Sequence, residues 1–303
     1  MKRLKSFVLF VAVLITVSMS QMIYPVVAGM GNDAPFSGNG TKKSPYLIEN
    51  AKDLISLRDM VNSGNSFEGV YFRQTENIDL ASNEWIPIGE YKGKSYFYGI
   101  YDGNGHYIEN LVTVKSGNNG LFGKLGGVVM NLGIESGDIY GNCIGAFTSH
   151  AAGSKAVIIN CYNKATVHGS RGGGIADNFN GIILNCWTDC ELLGKKKGDI
   201  YAYSCVKAVN CYTNNDTKNE VSKEALNKGI LVSASKAEVD VNDLNTWTFD
   251  GEKVVFSESK YRFTLADFPQ WILAYGTWII LGSITMVALT IIIFEFVSKN
   301  KKV

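Results

Sequence analysis

The chain has 303 residues, 32 glycines, three histidines and a formal net charge of +1. Its cations gather at the two ends (Lys2, Arg3 and Lys5, then Lys299, Lys301 and Lys302), so the middle is mildly acidic and has no basic patch. That distribution excludes nucleic acid as a partner and leaves room for one large domain with accessory segments.

Residues 1–28 read as a secretory signal peptide, with Lys2, Arg3 and Lys5 ahead of an apolar run and Val26-Val27-Ala28 before the cut. Residues 29–44 form a Gly/Asn/Ser linker without periodicity. Asn50 can cap a helix running through Val61, whose Leu54, Leu57 and Val61 make an apolar stripe that Ile55 widens. From Phe67 short β-rich runs replace the helical spacing: Gly69–Arg73, Asn77–Leu80, Trp85–Ile88 and Tyr96–Tyr101. Asp102 sits in Asp102-Gly-Asn-Gly105, where turn chemistry accounts for it better than catalysis.

Between Gly120 and Tyr212 one phrase recurs. It opens as Gly120-Leu-Phe, Gly145-Ala-Phe, Gly174-Ile-Ala and Asp199-Ile-Tyr, and closes at Asn131, Asn160, Asn185 and Asn210. The last three asparagines are 25 residues apart, and the copy ending at Asn160 has four extra residues, placed in Ser149–Lys155. A period in the twenties, without space for a helix, predicts stacked β-coils that bury their apolar faces only against each other. Equivalent residues then stack about 4.8 Å apart. Asn131, Asn160, Asn185 and Asn210 become a structural ladder of amides at a bend, and Cys161, Cys186 and Cys211 a second column. Disulfides favour a Cβ spacing near 3.8 Å, so this column is expected to hold buried free thiols, while Cys143, Cys190 and Cys205 fall off it. Tyr162, Trp187 and Tyr212 follow the Asn-Cys pairs and alternate to the outside of the coil, a candidate aromatic ladder for sugar rings.

The order Ser44-Pro-Tyr-Leu-Ile48, Asn77-Ile-Asp-Leu80, Trp85-Ile-Pro-Ile-Gly89, Tyr101-Asp-Gly-Asn-Gly-His106 and Gly120-Leu-Phe-Gly123 resembles the GLUG-motif modules of bacterial cell-surface proteins. Such modules also occur in the non-catalytic part of IgA-cleaving metallopeptidases. The resemblance implies a right-handed, parallel β-helix-like solenoid displayed on a cell surface, over 45–215. The chain departs from the pattern at Met130-Asn-Leu132, which lacks the Asn-Cys pair, and at Lys195-Lys-Lys-Gly198, which lacks the Gly173-Gly174 pair.

Residues 216–256 suggest a C-terminal cap, with Ser222 opening a short helix over Lys223–Lys228 and strands around Asp243–Trp247 and Lys253–Phe256. A stalk, 257–270, leads to a transmembrane helix, 271–296. Its 272–294 stretch has no charge, Trp271, Tyr275 and Trp278 mark the entry, and lysines follow the exit. The expected topology is single-pass in the cell membrane, outside at the N-terminus, with a cytoplasmic tail, 297–303.

No motif for catalysis, a metal or a cofactor is present. His106, His150 and His168 fit no H-E-x-x-H pattern and read as turn or surface residues, and Cys186 and Cys190 are the sole close cysteine pair. The expectation is an all-β, non-enzymatic surface protein for adhesion or recognition of a glycan or surface-protein ligand. The alternatives are a β-helix polysaccharide-degrading enzyme, for which Glu135, Asp138, Asp177, Asp189, Glu191 and Asp199 would have to cluster, and a scaffold subunit of a membrane complex.

Overall fold

The computed structural model describes residues 34–262 apart from 82, 91, 92, 94, 116, 215–221, 251 and 252. The expected signal peptide, transmembrane helix and cytoplasmic tail lie outside the described residues, as do parts of the linker and stalk. Among the described residues no helix is long and apolar enough to cross a membrane.

The chain winds into a β-solenoid of about six turns. Three parallel columns form its walls. In the first column, Ile100–Asp102, Val128–Met130, Val157–Ile159, Ala176–Leu184 and Tyr201–Val209 stack in register, with Asp102, Met130, Ile159, Leu184 and Val209 aligned. The second column stacks six two- or three-residue strands, from Ile78–Asp79 to Tyr212–Thr213. The third includes Gly137–Gly145 and Thr166–Gly173. The four extra residues of the longer repeat interrupt the first column. One rung is split into Thr148–Ala151 and Val157–Ile159, while the next runs unbroken over Ala176–Leu184. The lysine-rich rung still closes, Lys196–Gly198 pairing with Arg171–Gly173.

The first helix, α1 (Ala51–Asn62), begins where the Asn50 side chain accepts from the amides of Lys52 and Asp53. Leu54, Leu57 and Val61 are fully buried in the solenoid core, so α1 serves as the lid expected, while Ile55 stays exposed. Its far end is pinned by Asn62, whose amide donates to Pro87 O at 3.1 Å and whose Oδ1 accepts from Gly89 N at 2.7 Å. The segment ahead of it joins the same core, since Phe36 is buried beside Tyr46 and Phe72.

The C-terminal unit differs from the expected end cap in length and position. Helix α2 spans Lys223–Ala237, far beyond Lys228, and is followed by an antiparallel hairpin, Asn245–Phe249 with Val254–Lys260. Glycine at 229 hides the helix from a propensity argument. Its reason is contact. A Cβ at Gly229 would stand 2.3 Å from Asn185 Oδ1 and 3.1 Å from Asn210 Nδ2, so glycine lets α2 lie directly on the asparagine column. The unit therefore covers the solenoid's flank rather than its end. Its Leu226, Ile230, Leu231, Ala234, Leu244 and Trp247 form a second core with Ile159, Tyr162, Leu184 and Trp187.

Candidate functional site

The asparagine ladder forms as the repeat predicts. Asn131, Asn160, Asn185 and Asn210 all take left-handed backbone conformations, with φ of 53°, 57°, 55° and 54°. Asparagine tolerates that region better than other residues with a Cβ, and its amide can bond locally. Asn185 Nδ2 donates to Asn160 Oδ1 at 2.9 Å, and Asn160 Nδ2 to Asn131 Oδ1 at 2.8 Å. Asn131 Nδ2 continues to Asp102 Oδ1 at 2.8 Å. Asp102 is buried, accepts from the Asn104 amide as a turn aspartate should, and also takes Arg73 Nε at 3.1 Å.

The ladder has a second customer that periodicity does not show. Asn160 donates to Asn245 O at 3.0 Å and accepts from Trp247 Nε1 at 2.7 Å. Asn131 donates to Asp243 O at 2.9 Å and accepts from Asn245 N at 2.9 Å. The column that joins the rungs thus also docks the flanking hairpin.

The cysteine column also forms. All six cysteines are free thiols; Cys161 and Cys186 are fully buried and Cys211, on the last rung, is half-buried. Burial raises the Cys186 thiol well above its ordinary range, consistent with an inert apolar filler. Burial pushes Cys190 up to about 12.

The aromatic ladder requires a correction. Tyr162, Trp187 and Tyr212 align and point out of the coil, as alternation demands. Yet Tyr162 is 3% and Trp187 1% exposed. The two rings stack at 5.0 Å and 15° under Trp247 and Phe256 of the hairpin. The rings face away from the solenoid core and into a second one, so they offer no open platform for sugar. Only Tyr212 is half-exposed; it lines a groove of about 470 Å³ with Asn210, Glu224 and Lys228. The departure at Met130-Asn-Leu132 has its explanation here too. Gly133 takes the aromatic position in its rung because the Tyr162 ring lies across it, 2.2 Å from where a Cβ would stand.

The acidic residues are distributed into separate fixed pairs. Glu135 accepts from Tyr162 Oη at 2.7 Å, Lys164 Nζ at 2.8 Å and Lys253 Nζ at 2.6 Å. Burial alone would raise its carboxyl, but the two ammonium groups and the phenol outweigh this and hold it below its ordinary value. Lys253 is raised by the same hydrogen bond. Asp177, fully buried, receives Arg171 through Nε at 2.6 Å and Nη2 at 2.7 Å, and Tyr203 lies under that guanidinium at 4.5 Å. Asp138 meets His168 Nε2 at 2.7 Å, and the imidazole stacks on Tyr140 at 4.4 Å. Among the described residues no three His, Cys, Asp or Glu side chains are grouped to hold a metal. His150 departs from the surface role expected for it: it lies in a strand, is 8% exposed, and burial pushes its imidazole down to about 4.

No protein-family profile matches the chain. It is 32% identical over 144 residues to a protein of Evansella cellulosilytica named "Putative Gly-rich membrane protein", covering 44% of this chain and 16% of that one. It is likewise 32% identical over 157 residues to Halomucin of Haloquadratum walsbyi, covering 47% and 2%. The chain therefore spans a small part of both curated relatives. A solved structure titled a "putative immunoglobulin A1 protease" from Bacteroides ovatus aligns over 58% of each chain at 27% identity, with a TM-score of 0.48.

Proposed function

We propose that this chain is a non-enzymatic cell-surface protein, anchored by the 271–296 segment and displaying its β-solenoid for adhesion or recognition of a surface ligand, glycan or protein. The likeness to a protein named for a membrane carries the reading. The uncharged run over 272–294 and the aromatic residues at its entry support the anchor. The way the charged groups are committed supports a display role: Glu135, Asp177 and Asp138 each have a fixed partner, and they lie in three different pairs. A glycan lyase needs such groups converging on one groove. With Tyr162 and Trp187 covered, recognition falls to the exposed faces and to the last rung.

The test is expression of the full chain in a bacterial host, with extraction of membranes at alkaline pH and protease treatment of intact cells. The full chain should stay with the membranes, lose its solenoid to external protease, and bind in a glycan and surface-protein array. A variant lacking 271–296 should leave the membrane fraction. Recovery of the full chain in the soluble fraction, or protection of the solenoid in intact cells, would reject surface display.

A further inference from the structure

The two ends of the solenoid are finished differently. At its start α1 seals the core with Leu54, Leu57 and Val61. At its finish, among the described residues, Tyr201–Val209 pairs with Ala176–Leu184 alone, and Lys196–Gly198 and Tyr212–Thr213 each have one neighbour. The inward residues of this rung, Ile200, Cys205 and Cys211, are half-buried. Their counterparts one rung earlier, Ile175, Phe179 and Cys186, are fully buried. Tyr201, Tyr203 and Val206 are 40%, 63% and 62% exposed. The last rung thus presents strand edge and apolar surface together.

We propose that this edge is a homotypic interface, in which Tyr201–Val209 pairs antiparallel with the same strand of a second copy of this chain. Folded proteins guard long edges with charges or proline. This nine-residue strand has one charge, Lys207, and no proline. Its sequence is also self-complementary about Cys205. In a two-fold pair centred there, Lys207 of one copy faces Tyr203 of the other, and Tyr201 faces Val209. The first is a cation over an aromatic ring, the second an aromatic against a β-branched side chain, and no like charges are opposed within the strand. Lys196 and Lys197 charge the neighbouring edge, which remains solvated.

The path of the chain fits this occupant. Tyr261 N bonds Leu244 O, and Lys260 Nζ reaches Asp243 O at 3.0 Å, which places the end of the described chain near Asp102. Asp102 aligns four rungs before Val209, roughly 19 Å along the stack. An anchor following Arg262 therefore attaches away from the open edge and leaves it available to a copy on the same membrane or a facing one. One nine-residue edge makes a small interface, so the association is weak and concentration-dependent.

The experiment uses the full chain in nanodiscs loaded with one copy each, followed by analytical ultracentrifugation up to about 100 μM, the range of weak association. Tyr203→Lys, which sets lysine against Lys207 twice, and Val206→Lys are both at highly exposed positions and are checked for folding by circular dichroism. Reversible pairing of the wild type, weakened at least about tenfold in both variants, is the expected result. Single discs throughout the range, or variants that pair as tightly as the wild type, would overturn the interface. Vesicle clustering by the reconstituted chain is scored separately. Pairing of discs without clustering upholds the interface while rejecting adhesion between facing surfaces, so the two ideas fail independently.

Discussion

Asn160 is the residue at which rung stacking and flank docking meet, and its replacement tests both. Its side chain donates to Asn131 Oδ1 and Asn245 O and accepts from Asn185 Nδ2 and Trp247 Nε1, all at 2.7–3.0 Å with the residue fully buried. Asn160→Ala strands the Asn185 amide, the Trp247 indole N–H and the Asn245 carbonyl away from water. At about 1–3 kcal/mol for each such group, the loss is about 3–9 kcal/mol. Alanine held at a φ of 57° adds about 1 kcal/mol. A domain stable by about 5–15 kcal/mol would be largely or wholly unfolded. Asn160→Gly loses the same hydrogen bonds but accepts the backbone, so it should be the milder change by about 1 kcal/mol. Urea unfolding of the full chain, followed by tryptophan fluorescence, measures both variants. A Gly variant within about 1 kcal/mol of wild type would refute the claim that ladder bonds hold the fold. Equal losses in the two variants would refute the backbone part of the reasoning.

Four further outcomes follow from the same contacts. Because Glu135 has a lowered folded pKa, its contribution is complete above its ordinary 4.5 and lost as the pH falls through the folded value. Glu135→Gln should therefore flatten the melting temperature in that acid range, and an unchanged profile would count against the Lys164–Glu135–Lys253 network. His150 is depressed from 6.5 to about 4, so its contribution is complete above pH 6.5 and drains away as the pH drops to about 4. His150→Asn should remove that slope, and a wild-type melting temperature flat between pH 6.5 and 4 would contradict a buried neutral imidazole. Gly229→Ala favours the isolated helix by about 1 kcal/mol yet should destabilise the protein by about 1–3 kcal/mol, with faster proteolysis at α2; a stabilised protein would mean that α2 does not lie on the ladder. Toward a thiol reagent, half-buried Cys143 and Cys205 should react before Cys161 and Cys186, which should wait for unfolding.

Much of the solenoid was legible in sequence because its register is written in the repeat. Asn131, Asn160, Asn185 and Asn210 recur where the backbone must turn left-handed, a position that selects strongly for asparagine, so the residue type itself marks the corner. The cysteines one residue later mark the inward direction with equal clarity. The lid helix was legible too, through Asn50 and the stripe Leu54, Leu57 and Val61.

The aromatic ladder shows where that logic stops. Alternation establishes that Tyr162 and Trp187 point out of the coil, but outward from one core is compatible with inward to another. What decides between them lies 60 residues or more downstream of Trp187, in Trp247 and Phe256, on a helix and hairpin with no repeat to betray their partner. The clue available was negative: a Tyr-Trp pair beside a buried asparagine column needs polar and apolar cover. The longest accessory segment, 216–256, was the obvious source of it. The same consideration identifies the last rung as the functional question. Once the C-terminal unit is spent on the flank, nothing among the described residues closes the edge of Tyr201–Val209. A chain that caps its first coil with a helix, and covers its aromatic face with a hairpin, has the means to bury apolar surface. Exposed Tyr203 and Val206 on a strand with one charge are therefore the surface most in need of a partner.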